Sequence, residues 1–293
     1  MVWREAKNLK IAVTGSSGML GYDIKRVFTD IELIALTRQD FDITNLDKSV
    51  SKIKEIKPDY LIHAAAYTDV DGSELNPEKA YLVNGIGTRN VTMACEEIGC
   101  SIIYISTDYV FDGTKKEPYN EWDMPNPVNK YGLSKLLGEH FVTSLTNRFY
   151  IVRTSWLYGK HGKNFVDTTI KLLTEKEHLD VVNDQISSPT YTYDLAVKLR
   201  ELIGKGYGIY HITNTSQCSW FEFAVEIAKL LKKSKTKIQP ITSDKLNRSA
   251  KRPAFSVLGN TLLRLEGLKE LRHWKDALKD YLAQGKLGAN DGC

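Results

Sequence analysis

From residue 10 to about residue 155, strand-length apolar runs take turns with amphipathic segments, and that alternation leaves few folds open. The runs "KIAVTG", "IELIALT", "DYLIHAAA", "SIIYIST" and "YIVRTSW" are rich in β-branched residues and read as buried strands. Between them, "MLGYDIKRVFTD", "LDKSVSKIKEIK", "PEKAYLVNGIGTRNVTMACEEIG" and "NKYGLSKLLGEHFVTSLT" repeat their apolar residues at helical spacing. Strands separated by helices pair in parallel through right-handed crossovers, so the pattern predicts an α/β chain with a doubly wound parallel sheet. After about residue 156 the rhythm loosens. Helices are expected at "FVDTTIKLLTEKE" and "WFEFAVEIAKLLKK", short strands at "LDVVND" and "KIQPITS", and a closing helix at "HWKDALKDYLAQ". Between them, "DLAVKLRELIGKGYGIYHITN" reads as one more helix and strand of the main sheet.

Bulk properties narrow the class. A chain of 293 residues with 42% hydrophobic composition can bury one large core or two smaller ones. The longest apolar runs are far short of a bilayer span and "MVWREAKNLKIAV" has no secretory pattern, so the expectation is a cytoplasmic protein without a membrane partner. Cys95, Cys100, Cys218 and Cys293 show neither paired spacing nor a histidine cluster, which predicts reduced thiols and no metal site. The net charge of +4 is mild and the signs interleave, with "KLLKKSKTK" at 229–237 read as a solvated helix end. No nucleic-acid partner is expected, whereas phosphorylated small molecules suit the slight excess of cations.

"KIAVTGSSGMLGYDI" sets Gly15, Gly18 and Gly21 between the first strand and the first helix. Glycines there permit a tight turn and bring backbone amides and a helix N-terminus close to a pyrophosphate. The expected fold is therefore a Rossmann-type doubly wound sheet with a smaller α/β substrate-binding domain. Residues 1–155 and 190–215 are expected to form the NAD(P)-binding part, 156–189 and 216–285 the smaller second part, which the family resemblance given below assigns to a nucleotide sugar, and 286–293 a tail. At the end of the second strand, where an NAD enzyme usually places an acid, the sequence reads "LIALTR". Arg38 there can pair with a ribose 2′-phosphate, so NADPH is preferred and NADH also accepted; pairing with Asp40 or Asp42 is the plain alternative.

The spacing G-x-x-G-x-x-G resembles that of the extended short-chain dehydrogenase/reductases. That superfamily uses a Y-x-x-x-K pair, matched here by Tyr131 and Lys135, one helical turn apart, with Thr107 ending the preceding strand. The resemblance implies that Tyr131 protonates the substrate oxygen as hydride arrives. Lys135 holds the cofactor ribose and lowers the phenol's pKa, and Thr107 orients the carbonyl. Ser106 is the alternative hydroxyl.

Further segments narrow the resemblance and span nearly the whole chain: "AAYTDVDGSE", "VNGIGTRNV", "STDYVFDG", "YGLSKLLGE", "RTSWLYG", "DQISSPTYTYDLA" and "RPAFSVL". Together they are similar to the dTDP-4-dehydrorhamnose reductases. The family implies that Ser17, Met19 and Leu20 line the pyrophosphate loop with the glycines, and that Asp42 and Ile43 flank the adenine. It places Ala64, Ala65 and Ala66 under the cofactor, Tyr67 at the ribose side, and Thr154 and Ser155 near the nicotinamide amide. Around a dTDP-sugar it sets Val70, Thr107, Asp108, Tyr131 and Trp156, with Gln185 and Arg252 nearer the diphosphate. Two other readings stay open: a non-catalytic regulatory subunit resembling that of methionine adenosyltransferase, and a nucleotide-sugar epimerase or dehydratase. The oligomeric state is open between a monomer and a homodimer.

Overall fold

The central strands are apolar on both sides because helices cover both faces of the sheet. The computed structural model describes residues 9–233 and 237–287. In it, six parallel strands lie in the order Gly208–His211, Phe149–Thr154, Ser101–Thr107, Tyr60–His63, Lys10–Thr14, Glu32–Leu36. The expected α/β doubly wound sheet is therefore the observed architecture, including the late strand from "GIYH". Side chains alternate strictly across it. Ile11, Val13, Ile62, Ile103 and Val152 pack on Leu20 and Ile24 of helix Met19–Val27 and on Leu195 and Leu199 of helix Thr192–Leu202. Ala12, Leu61, Ile102, Tyr104 and Ile151 face the other way. They meet Ile53, Val91 and Val142 of helices Leu46–Ile56, Gly87–Ile98 and Lys130–Leu145.

The chain passes from edge strand Glu32–Leu36 to Tyr60–His63 on the far side of Lys10–Thr14. The carboxyl ends of Lys10–Thr14 and Tyr60–His63 thus flank the point where the winding reverses, which is where ligands bind in open α/β sheets.

The long helix expected over "PEKAYLVNGIGTRNVTMACEEIG" is helical from Pro77 to Ile98, but six of its residues, Tyr81–Ile86, form a π-helical turn. Such a turn re-aims side chains, and here it buries Asn84. A second core gathers Tyr158, Val166, Leu179, Tyr191, Phe223 and Trp274. Around it lie helices Phe165–Glu175, Trp220–Leu230 and Trp274–Leu287, and strand His178–Val182 runs parallel to Lys237–Ile241. Ile186–Ser187 also pairs with Cys218–Ser219, and Leu157–Tyr158 with Thr190–Tyr191. Two-residue strands are too short to leave a period in the sequence. Of the expected tail, residues 286–287 finish the last helix, while 288–293 lie outside the described residues, as do 1–8 and 234–236. Among the described residues no helix is long and apolar enough to cross a membrane.

Candidate active site

Gly15 adopts φ +70°, and a Cβ there would stand 2.7 Å from the backbone nitrogen of Ala65 and 2.8 Å from the carbonyl carbon of Ala64. Only glycine lets the first loop press against Ala64–Ala66. A Cβ on Gly21 would meet the Gly15 carbonyl oxygen at 2.5 Å, so the helix start also sits tightly under the loop. Gly18 is the N-cap of helix Met19–Val27 and brings no side chain to its amides, and the first turn carries no acid. Amide donors at the helix mouth and a cradle that a Cβ would fill suit a pyrophosphate. Ser17 and Gly18 are exposed at the rim, and Met19 packs against the backbone at Gly162. Leu20 and Ile43 place their side chains in the two sheet cores, so only their backbones face outward options.

Arg38 is exposed and makes no ion pair within 4 Å among the described residues. Asp40 is held instead by the Thr37 hydroxyl at 2.5 Å, and Asp42 by the Thr44 hydroxyl at 2.8 Å. Tyr67 is fixed through its backbone: its N–H donates to Asn84 Oδ1 at 2.7 Å, and Asn84 Nδ2 donates to the Tyr67 carbonyl. Asn84 also donates to Ser134 Oγ at 2.9 Å, tying this loop to helix Lys130–Leu145. Nothing local in the sequence marked Asn84, because its burial comes from the fold.

Helix Lys130–Leu145 starts at Asn129, whose side chain accepts from the Gly132 amide at 2.8 Å. That start sets Tyr131 in the first turn, with Lys135 one turn on and 2% exposed. Lys135 has no ion-pair partner within 4 Å among the described residues, and its Nζ sits 4.1 Å from the centroid of the Tyr104 ring. Burial pulls its pKa down to about 7, with Glu139 one turn further on acting in the opposite sense. Tyr131 is pushed up to about 12, mainly by burial, against the Thr107 hydroxyl, which favours the phenolate. The expected lowering of the Tyr131 pKa by Lys135 is thus not found. Loss of hydration opposes the charged form of each group, and neither group is among the causes of the other's shift.

Thr107 ends strand Ser101–Thr107, in register with Thr154 of the next strand. Ser106 faces the opposite side and donates to Glu139 at 2.5 Å, within a buried pair where Arg153 holds the same carboxylate at 2.7 and 3.0 Å. The alternative hydroxyl is therefore occupied. The Thr107 hydroxyl donates to Asp108 Oδ1 at 3.1 Å, and Asp108 Oδ2 accepts from Ser256 at 2.5 Å and Ser187 at 3.3 Å. Burial raises the Asp108 pKa to about 7 against those donors. Thr154 Oγ1 is buried without a hydrogen-bond partner, whereas Ser155 spends its hydroxyl on the Ser188 carbonyl at 2.6 Å.

Val70 opens helix Val70–Leu75 beside Asp69, and Gln185 is buried next to Ile186–Ser187. Arg252 is engaged by Asp71 through two parallel bonds of 2.7 and 2.6 Å, which hold the Asp71 carboxyl at about 2. The partner is a carboxylate 181 residues away. Trp156 stacks on Trp220 with ring centroids 3.4 Å apart. Asp71, Ser187, Ser256 and Trp220 were not singled out from the sequence, because each acts on a residue distant in the chain.

The family model described as RmlD substrate binding domain matches residues 9–287. Spore coat polysaccharide biosynthesis protein SpsK of Bacillus subtilis is 40% identical over 279 residues, covering 94% of this chain and 97% of that protein. A dTDP-4-dehydrorhamnose reductase of Streptomyces griseus is 39% identical, covering 92% and 91%. The crystal structure of dTDP-4-dehydrorhamnose reductase (rfbD) from Bacillus anthracis in complex with NADP superposes with a TM-score of 0.92 at 41% identity, covering 94% of this chain and 99% of that one. With the glycine cradle, the Tyr131–Lys135 helix and a match that runs almost end to end, the chain belongs to the RmlD substrate binding domain family.

Proposed function

We propose that this protein reduces the 4-keto group of dTDP-4-dehydro-L-rhamnose to give dTDP-L-rhamnose. The observation that carries the reading is a half-buried phenol beside the Thr107 hydroxyl, one helical turn from a buried ammonium, at the carboxyl edge of a doubly wound sheet. Relatives of the same length named for this reduction, one of them solved with NADP, support it.

NADPH, when bound, supplies the hydride. Gly15, Ser17, Gly18, Met19, Leu20 and Gly21 offer backbone to its pyrophosphate, and Arg38 meets the 2′-phosphate. Asp42 and Ile43 would flank its adenine, Ala64–Ala66 would let the chain pass close beneath it, Tyr67 would stand at a ribose, and Thr154, with an unused buried hydroxyl, and Ser155 would serve the nicotinamide amide. Lys135 finds among the ribose hydroxyls the hydrogen-bond partners its buried ammonium lacks. As the substrate oxygen gains charge, Tyr131 gives it the phenolic proton. A phenol near 12 is still the stronger acid against an alkoxide, so the transfer runs downhill. Thr107 and Asp108 orient the sugar at C4, Val70 and Trp156 flank its ring, and Gln185 and Arg252 lie toward the diphosphate.

In this reading residues 1–155 and 190–215 bind the cofactor and 156–189 and 216–285 the nucleotide sugar. The enzyme works in the cytoplasm, consistent with the free, buried thiols of Cys95, Cys100 and Cys218. The test follows absorbance of the reduced cofactor with dTDP-4-keto-6-deoxyglucose, with and without a 3,5-epimerase. Oxidation only with the epimerase is the expected result. Oxidation without it moves the substrate to the unepimerised sugar, and none in either mixture favours a non-catalytic binding role.

A further inference from the structure

Trp156 lies two residues beyond strand Phe149–Thr154, whose last residue is in register with Thr107. Its backbone has φ +45°, a left-handed conformation that strains a residue with a bulky side chain. The chain is pinned on both sides: the Trp156 carbonyl accepts from the Thr190 amide at 3.2 Å, and Ser155 donates to the Ser188 carbonyl. What sets the indole plane is the ring of Trp220, 3.4 Å away and tilted by only 8°.

Trp220 is itself held firmly. It is the first residue of helix Trp220–Leu230, whose start is fixed by a reciprocal pair of bonds between Ser219 and Glu222. On its far side stands Phe165, 4.4 Å away, the first residue of helix Phe165–Glu175, and Phe165 stacks in turn on Phe223 in the second core. Both tryptophans are half-buried, and among the described residues Trp156 makes its one ring contact with Trp220. Trp156 is only half-buried, so part of its indole stays open to another occupant.

We propose that Trp220 is a positioning residue for the substrate sugar: by stacking on one face of Trp156 it fixes the plane that the other face presents to the hexose ring. This rests on the reading that Trp156 flanks the sugar. A deoxyhexose offers C–H bonds along one ring face, and an aromatic plane takes such a face well only when its tilt is set. A lone indole on a strained loop would rotate. Trp220 instead carries the rigidity of the second core to the edge of the site, touching neither substrate nor cofactor.

The experiment measures KM and kcat for the sugar and for NADPH in full-length Trp156→Ala, Trp220→Ala, Trp220→Leu and Trp220→Phe. Trp220→Ala and Trp220→Leu raise the sugar KM about threefold to tenfold, the worth of one aromatic pair. They leave the NADPH KM unchanged, and Trp220→Phe restores most of the loss. KM does not depend on the fraction of active protein, so partial unfolding does not imitate this pattern; if the alanine variant fails to fold, leucine against phenylalanine decides it. A raised sugar KM in Trp156→Ala with none in the Trp220 variants overturns the inference and leaves Trp156 at the sugar. An unchanged sugar KM in Trp156→Ala removes the sugar from Trp156 and the inference with it.

Discussion

The ammonium of Lys135 rests 4.1 Å from the centroid of the Tyr104 ring, while the Tyr104 hydroxyl donates to the carbonyl of Lys135 itself at 3.1 Å. The ring supplies a face for the cation and a clamp for its backbone, yet among the described residues no carboxylate pairs with it within 4 Å. A buried charge held only in this way costs stability.

Lys135→Met should therefore stabilise the cofactor-free protein while abolishing most of its turnover. The pKa of Lys135 is 10.5 unfolded and about 7 folded. Between these values the unfolded chain holds the extra proton, so this group makes stability rise with pH across that window. The gain in Lys135→Met is full below pH 7, on the order of 1 kcal/mol or more, and shrinks as pH climbs toward 10. Urea unfolding at pH 6 and pH 9 checks it. A variant less stable than wild type at both values contradicts the buried-charge account.

Tyr131→Phe should lower kcat by about 10²–10⁴-fold, the usual worth of general acid catalysis, with the NADPH dissociation constant near that of wild type. The ring still fills its place beside Tyr109, 5.9 Å away between centroids. Retention of most of the turnover takes Tyr131 out of the chemistry.

Ser256 donates to the Asp108 carboxylate at 2.5 Å and so favours its ionised form. Removing that donor in Ser256→Ala raises the Asp108 pKa from about 7. If Asp108 meets the sugar as the stronger, ionised acceptor, the acid limb of kcat/KM for the sugar should move to higher pH by about one unit. A profile that keeps its acid limb in place assigns that limb to another group.

Arg252→Met should raise the sugar KM by about tenfold or more, with a smaller effect at high salt and no change for NADPH. The guanidinium now held by Asp71 has its fork already oriented, which suits transfer of one arm to a phosphate. An unchanged sugar KM leaves Arg252 as a tether between the loop at 250–252 and helix Val70–Leu75.

What the sequence disclosed follows the range of the interaction. Gly15 was legible because strand, turn and helix are contiguous, and Tyr131 with Lys135 because their relation lies within one helical turn. The sheet followed from periodicity, down to its last strand. Asp71 with Arg252, Ser256 with Asp108 and Trp220 with Trp156 join segments 64 to 181 residues apart, and no local spacing records them. The direction of the Tyr131 shift was misjudged for a related reason. Proximity of Lys135 is visible in the sequence, whereas the burial that dominates both shifts exists only once the fold encloses the two groups.

Arg38 should bear on the choice of nicotinamide cofactor. At the end of strand Glu32–Leu36 an NAD enzyme usually carries an acid that bonds the ribose 2′-hydroxyl and repels a 2′-phosphate. Here the turn runs Thr37, Arg38, Gln39, Asp40, and its acid is already engaged: Asp40 accepts from both the amide and the hydroxyl of Thr37. Asp42 likewise accepts from the amide and hydroxyl of Thr44, and its charge acts on Arg38 only through space. Each acid that could neutralise Arg38 on the surface thus already has local partners, and the exposed guanidinium keeps its donors for a phosphate and its flat face for the adenine. Specificity constants for NADPH and NADH, compared in wild type and Arg38→Ala, check this. Wild type should prefer NADPH, and the substitution should cut that preference by about tenfold or more, chiefly by weakening NADPH. A preference for NADH in wild type, or a ratio that Arg38→Ala leaves unmoved, takes Arg38 away from the 2′-phosphate.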